Sequence, residues 1–160
     1  MPLLSKKSIH SRKRTNDVLT REKISFDNLF LSPHVLKGLN AAGFAIPSPI
    51  QVKAIPLGKF GSDLLAQAKA GTGKTLVFTV IILENIHVDN NLPQAVVLAP
   101  TREIALQITD VIRSVGKYIK GLVVEPLIGG IRLSLNRSTL GIIRCKVVVV
   151  LVLVVYYIIT

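Results

Sequence analysis

Cysteine is almost absent from this 160-residue chain: Cys145 stands alone. No disulfide can form within it, and a lone thiol suits a reducing compartment. Acidic residues are scarce too, 9 against 20 Lys and Arg, and the net charge of +11 points to a polyanionic partner. No second histidine stands at metal-ligand spacing from His34, which reads as a surface helix residue. The N-terminus lacks the apolar core of a secretory signal, so none is expected. The apolar run 147–159 is shorter than the roughly 20 residues a spanning helix needs, so no membrane partner is expected.

What is present suffices for one domain, since 49% of the residues are apolar and the length fits a single core. Residues 1–23 differ from the rest. Lys6, Lys7, Arg12, Lys13, Arg14, Arg21 and Lys23 face only Asp17 and Glu22, with few apolar side chains. They read as a disordered basic arm. Arg12-Lys13-Arg14 reads as a solvated leader, with a nuclear signal or a nucleic-acid patch as the alternatives.

The chemistry gathers at Ala68-Lys69-Ala70-Gly71-Thr72-Gly73-Lys74-Thr75. The apolar residues 64–68 before it predict a strand end, and the apolar run 76–83 after it predicts a buried helix. Strand, Gly-bearing loop and helix in that order make a phosphate-binding loop. Its glycines let backbone N–H groups face phosphate oxygens, and the helix start adds a positive end. Lys74 can reach the terminal phosphates, and the Thr75 hydroxyl can ligate Mg²⁺. Ala68 replaces the first Gly of the general pattern. The bland alternative is a Gly-rich turn with an exposed Lys.

Upstream, Ser32-Pro33 predicts a helix start and Gly43 a stop. Residues 43–51 hold Pro47 and Pro49, which pin an extended loop and open a second helix carrying Gln51. A Gln amide matches the donor and acceptor on adenine's edge, and Phe26 could lean on the base. Alone, this loop would read as a connector; just ahead of a phosphate loop it reads as an adenine reader.

Downstream, residues 94–99 predict a second buried strand, and Thr101 can cap a helix over 102–119. Residues 121–125 predict a third strand shortened by Pro126, 131–140 a helix and 145–149 a fourth strand. Strands alternating with helices predict a parallel α/β sheet. Thr101 and Arg102 would then lie at strand C-terminal ends, the ligand side of such a sheet. The carboxylates after the phosphate loop are Glu84, Asp89, Glu103, Asp110 and Glu125, and none forms an Asp-Glu pair after an apolar strand.

Phe26, residues 43–51, Ala68 through Thr75, Pro100-Thr101-Arg102-Glu103 and Gly129-Gly130 together resemble the DEAD-box RNA helicases. The order and spacing match that family's aromatic-plus-Q motif, its AxxGxGKT loop, its PTRE motif and its GG motif, which accounts for Ala68. The wording at Gln67-Ala68-Lys69 and Ile104-Ala105-Leu106-Gln107 is similar to the family member of the SMN complex, which implies SMN-complex-like protein partners.

The resemblance implies a RecA-like P-loop NTPase fold and ATP-dependent unwinding of RNA or remodelling of ribonucleoproteins, in the cytoplasm or nucleus. It implies that Phe26, Gln51, Ala70, Gly71, Thr72, Gly73, Lys74 and Thr75 hold ATP, with Lys74 and Thr75 catalytic and Thr75 on Mg²⁺. Thr101, Arg102, Gly129 and Gly130 would contact RNA. It covers residues 24–149, as an incomplete first lobe, and stops there; residues 150–160 read as an aberrant tail from a frameshift, an unspliced intron or an alternative exon. The expected chain binds ATP and RNA but does not hydrolyse ATP, the alternative being a non-catalytic nucleotide- or RNA-binding module. The β-branched run 147–159 and an unpaired sheet edge predict a tendency to aggregate.

Overall fold

The computed structural model describes residues 24–90, 92–128 and 147–151. A 3-10 turn at Phe26–Leu29 opens it, capped by Ser25. Helix α1 (Pro33–Ala41) begins on Pro33, whose missing N–H costs nothing in a first turn. Helix α2 (Pro49–Lys59) begins the same way on Pro49. Helix α3 (Lys74–Asn85) follows the Gly-rich loop. Strand β1 (Ala95–Ala99) leads to helix α4 (Arg102–Val115), capped by the Thr101 hydroxyl, which accepts the Ile104 N–H at 3.3 Å. A 3-10 turn (Gly116–Tyr118), strand β2 (Val124–Leu127) and strand β3 (Val147–Leu151) complete it.

The three strands form a parallel sheet in the order β1-β3-β2. The strand latest in sequence is therefore central, with Val147 opposite both Ala95 and Val124. Helix α4 packs against all three strands. Its buried residues Ala105, Ile108, Ile112 and Val115 recur every three or four positions, which puts them on one face. Leu39 of α1, Ile55 of α2 and Val80 of α3 are fully buried and join the same core.

Two contacts fix the helices around that core. Gly38 of α1 lies so close to the end of α4 that an added β-carbon would stand 1.7 Å from the Val115 carbonyl oxygen. Glu84 of α3 is the second fixture, with a side chain only 4% exposed. It pairs with Lys59 of α2 at 3.2 Å and accepts the Ser32 N–H at 2.8 Å. Lys59 also donates to the Phe30 carbonyl. One carboxylate thus ties the phosphate-loop helix to α2 and to the start of α1.

Several sequence expectations shift. Residues 62–69 form no strand: they run as an irregular loop with Leu65 fully exposed. A strand exists through its ladder partners, and among the described residues none lies alongside this segment. Strand β1 is not buried on both faces, since Val96 and Leu98 are 63% and 64% exposed. The third strand begins at Val124 and runs through Pro126, which an edge position tolerates because a ladder donor can be missing there. Helix α4 ends at Val115 rather than at 119, tightening into the 3-10 turn at Gly116. The fourth strand runs on to Leu151, with Val150 opposite Leu98. The basic arm 1–23, Gly129, Gly130, the helix expected at 131–140, Cys145 and residues 152–160 lie outside the described residues.

Candidate functional site

The loop between α2 and α3 carries two backbone features that only particular residues allow. Gly71 and Gly73 have φ of 79° and 89°, the left-handed region that disfavours a β-carbon. At Gly73 space adds a second constraint, because a β-carbon would lie 2.2 Å from the Gln51 amide nitrogen. The loop then closes through its own side chains. Thr72 Oγ1 donates to the Lys69 carbonyl at 2.9 Å. The Lys74 ammonium donates to the carbonyls of Ala68 and Lys69 at 2.5 and 2.6 Å.

Gly73 is also the N-cap of α3, and no side chain caps that end. A helix start without a side-chain cap offers N–H donors and the positive end of the helix dipole to an anion. Thr75 is half-buried in this first turn, Ala70 is exposed, and Lys74 places its cation beside the loop. Those residues fit a nucleotide phosphate chain. For Mg²⁺ the protein offers the Thr75 hydroxyl. No group of three or more His, Cys, Asp or Glu converges among the described residues.

Gln51 is 1% exposed and does more than the sequence indicated. Its Oε1 accepts the Ser48 N–H at 2.8 Å, and its Nε2 donates to the Gly73 carbonyl at 3.1 Å. The first bond is half of a helix capping arrangement, and the second joins the proline-pinned loop to the phosphate loop across 22 residues. One amide N–H and one oxygen lone pair remain, enclosed with the side chain in this structure, so meeting a base edge requires that they be uncovered. The Ser48-x-x-Gln51 spacing carried the capping signal, which the sequence reading passed over. Phe26 is 4% exposed and belongs to the core, so its ring presents no open face for stacking in this structure.

A cleft of ≈ 410 Å³ opens between the two segments. Pro49, Ile50 and Lys53 of α2 form one wall, and Gln67, Ala68, Lys69 and Thr72 the other. Thr101 and Arg102 are exposed, just past the C-terminal end of β1. Gly129 and Gly130 lie outside the described residues.

The carboxylates give a further result. Glu84 is committed to Lys59 and the Ser32 N–H, and Glu125 pairs with Arg113 at 3.6 Å. Neither is left over as a metal ligand at the phosphate loop. No described helix is long and apolar enough to cross a membrane.

Comparison with known proteins agrees with this architecture. A family profile described as DEAD/DEAH box helicase matches residues 48–159, continuing past Val149. The chain is 49% identical to the probable ATP-dependent RNA helicase DDX20 of Mus musculus over 86% of its own length and 16% of that protein's. It is 42% identical to the Dictyostelium discoideum ddx20, over 79% and 19% of the two lengths. With DEAD-box ATP-dependent RNA helicase 8 of Arabidopsis thaliana it shares 46% identity, over 69% and 22%. The chain therefore spans about a fifth or less of these relatives.

Among solved structures, a DEAD box protein from Methanococcus jannaschii superimposes with a TM-score of 0.73 at 34% identity, covering 79% of this chain and 34% of that one. Dbp5 of S. cerevisiae, bound to RNA and ADP BeF3, gives 0.66 at 31%, covering 79% and 32%. The parallel α/β sheet is thus part of a RecA-like P-loop lobe. With the glycine-shaped loop, the glutamine that braces it and a profile match over most of its length, the chain belongs to the DEAD/DEAH box helicase family.

Proposed function

We propose that this chain is an ATP- and RNA-binding portion of an ATP-dependent RNA helicase. The observation that carries this reading is the bond from Gln51 to the Gly73 carbonyl. It puts an amide suited to an adenine edge next to a loop suited to phosphates. The relative solved with RNA and ADP BeF3 supports the same pairing of ligands. In this reading Lys74 and the α3 N-terminus hold the phosphate chain and Gln51 turns its remaining N–H and lone pair to the base. The Thr75 hydroxyl would help hold Mg²⁺, which would supply charge neutralisation to the phosphates. Thr101 and Arg102 contact the RNA backbone, joined by Gly129 and Gly130. The likeness to DDX20 supports protein partners resembling those of the SMN complex as part of this reading.

A second reading, a nucleotide- or RNA-binding module without turnover, is favoured by one observation. Glu84 and Glu125 are engaged in ion pairs, and phosphoryl transfer of this class needs a carboxylate to help hold the metal. Titrating fluorescent ATP against GTP tests the first reading. Adenine preference should vanish in Gln51→Ala, and all nucleotide binding should fall in Lys74→Ala; equal affinity for both nucleotides would overturn it. An RNA-stimulated ATPase assay separates the two: turnover lost in Lys74→Ala would exclude the second.

A further inference from the structure

We infer that Lys53 is a second cationic contact for the nucleotide's phosphates, reaching across the cleft from α2 opposite the phosphate loop. This rests on the reading of the loop as a nucleotide site and adds to it a residue that neither the motifs nor the family likeness singled out.

Gln51 points inward at Gly73 and is buried, so it fixes how the first turn of α2 meets the loop. Lys53 lies four residues after Pro49 and three after Ile50, so it neighbours both on the helix surface, away from Gln51. That face is one wall of the cleft, and the loop bearing Lys69 and Thr72 is the other. Lys53 is exposed. No carboxylate lines the cleft, and the ion pairs found among the described residues engage Lys59 and Arg113 instead. A cation lining this cleft, with no carboxylate among the described lining residues, would lower the energy of a polyanion there. Lysine suits the task as a compact charge on a flexible stem.

The chemistry sets the selectivity. A charge at the cleft rim acts on phosphates and leaves the neutral base and ribose untouched. Its effect should therefore grow from adenosine to ADP to ATP. It should also shrink with salt, because an exposed charge is screened over about 8–10 Å. Contacts of this exposed kind are worth up to about fivefold in affinity.

The test titrates the full chain with fluorescent ATP, with ADP and adenosine as competitors, at low and high salt. Lys53→Ala should weaken ATP about three- to fivefold at low salt, weaken ADP less and leave adenosine unchanged. Lys53→Arg should retain ATP affinity, and high salt should erase the difference between wild type and Lys53→Ala. Equal losses for ATP and adenosine would show a structural role and overturn the inference. So would Lys53→Ala binding ATP like wild type while Lys74→Ala does not, and in that case the nucleotide site would stand. If wild type binds ATP no better than Lys74→Ala, the nucleotide site itself falls, and the role of Lys53 with it. Thermal melting of each variant checks that the fold is intact.

Discussion

Gln51 and Gly73 meet with the amide nitrogen 3.1 Å from the carbonyl oxygen, and a β-carbon on Gly73 would occupy the space between them. The same oxygen accepts the Leu76 N–H at 3.1 Å, so one carbonyl serves both the helix start and the neighbouring loop. The position of α3 relative to α2 is set at this point.

Gly73→Ala should therefore harm both fold and binding. The φ of 89° alone costs a non-glycine residue roughly 1–2 kcal/mol, and displacing the Gln51 amide adds the loss of a buried hydrogen bond, about 1 kcal/mol. A lower urea midpoint and a nucleotide affinity reduced at least tenfold are expected. Chemical denaturation and nucleotide titration of the same sample measure the two.

Glu84→Gln should destabilise the chain by about 1–3 kcal/mol. It keeps an acceptor for the Ser32 N–H but leaves Lys59 without its counter-charge. Lys59 is 27% exposed and can partly rehydrate, which keeps the figure below that of a fully buried pair. The double variant Glu84→Gln with Lys59→Met should recover part of the loss in urea melts. A double variant no better than the single would place the energy elsewhere.

Gly38→Ala should cost about 1–3 kcal/mol or prevent folding. Alanine normally favours a helix interior, so propensity predicts the opposite sign. The added methyl would meet the Val115 backbone oxygen at 1.7 Å, and backbone cannot swing aside as a side chain can. Circular dichroism melting of this variant decides between propensity and packing.

Thr79→Val should be neutral or stabilising by up to about 1 kcal/mol. Thr79 is wholly buried in α3, and its hydroxyl has no hydrogen-bond partner among the described residues. Valine keeps the branched shape and removes the unmet polar atom. A falling melting temperature would mean that the hydroxyl has a partner after all.

The parts of this molecule governed by neighbours in sequence were legible beforehand. Pro33 and Pro49 announced helix starts, Thr101 announced a cap, and the glycines with Lys74 and Thr75 announced the phosphate loop. Features that depend on distant neighbours were not. Residues 64–68 read as a strand end before the phosphate loop, but among the described residues no ladder lies beside them. The Ser48–Gln51 cap could be read from spacing alone, whereas the reach from Gln51 to Gly73 could not. Phe26 had the chemistry to stack on a base, and only packing shows its ring closed into the core. In the sequence Glu84 was one of five carboxylates after the phosphate loop, and only the fold brings Lys59 and Ser32 to it.

The sheet order has a temporal meaning for the growing polypeptide. Strands β1 and β2 flank β3 and do not touch each other in the ladder. Translation delivers both before the residue that unites them, Val147, has left the ribosome. Until then, the two outer ribbons hang open with their amides solvated or bound by a chaperone. Contacts this remote along the chain form slowly. A chain truncated before Val147 should thus be cut readily by proteases, and the full chain should resist.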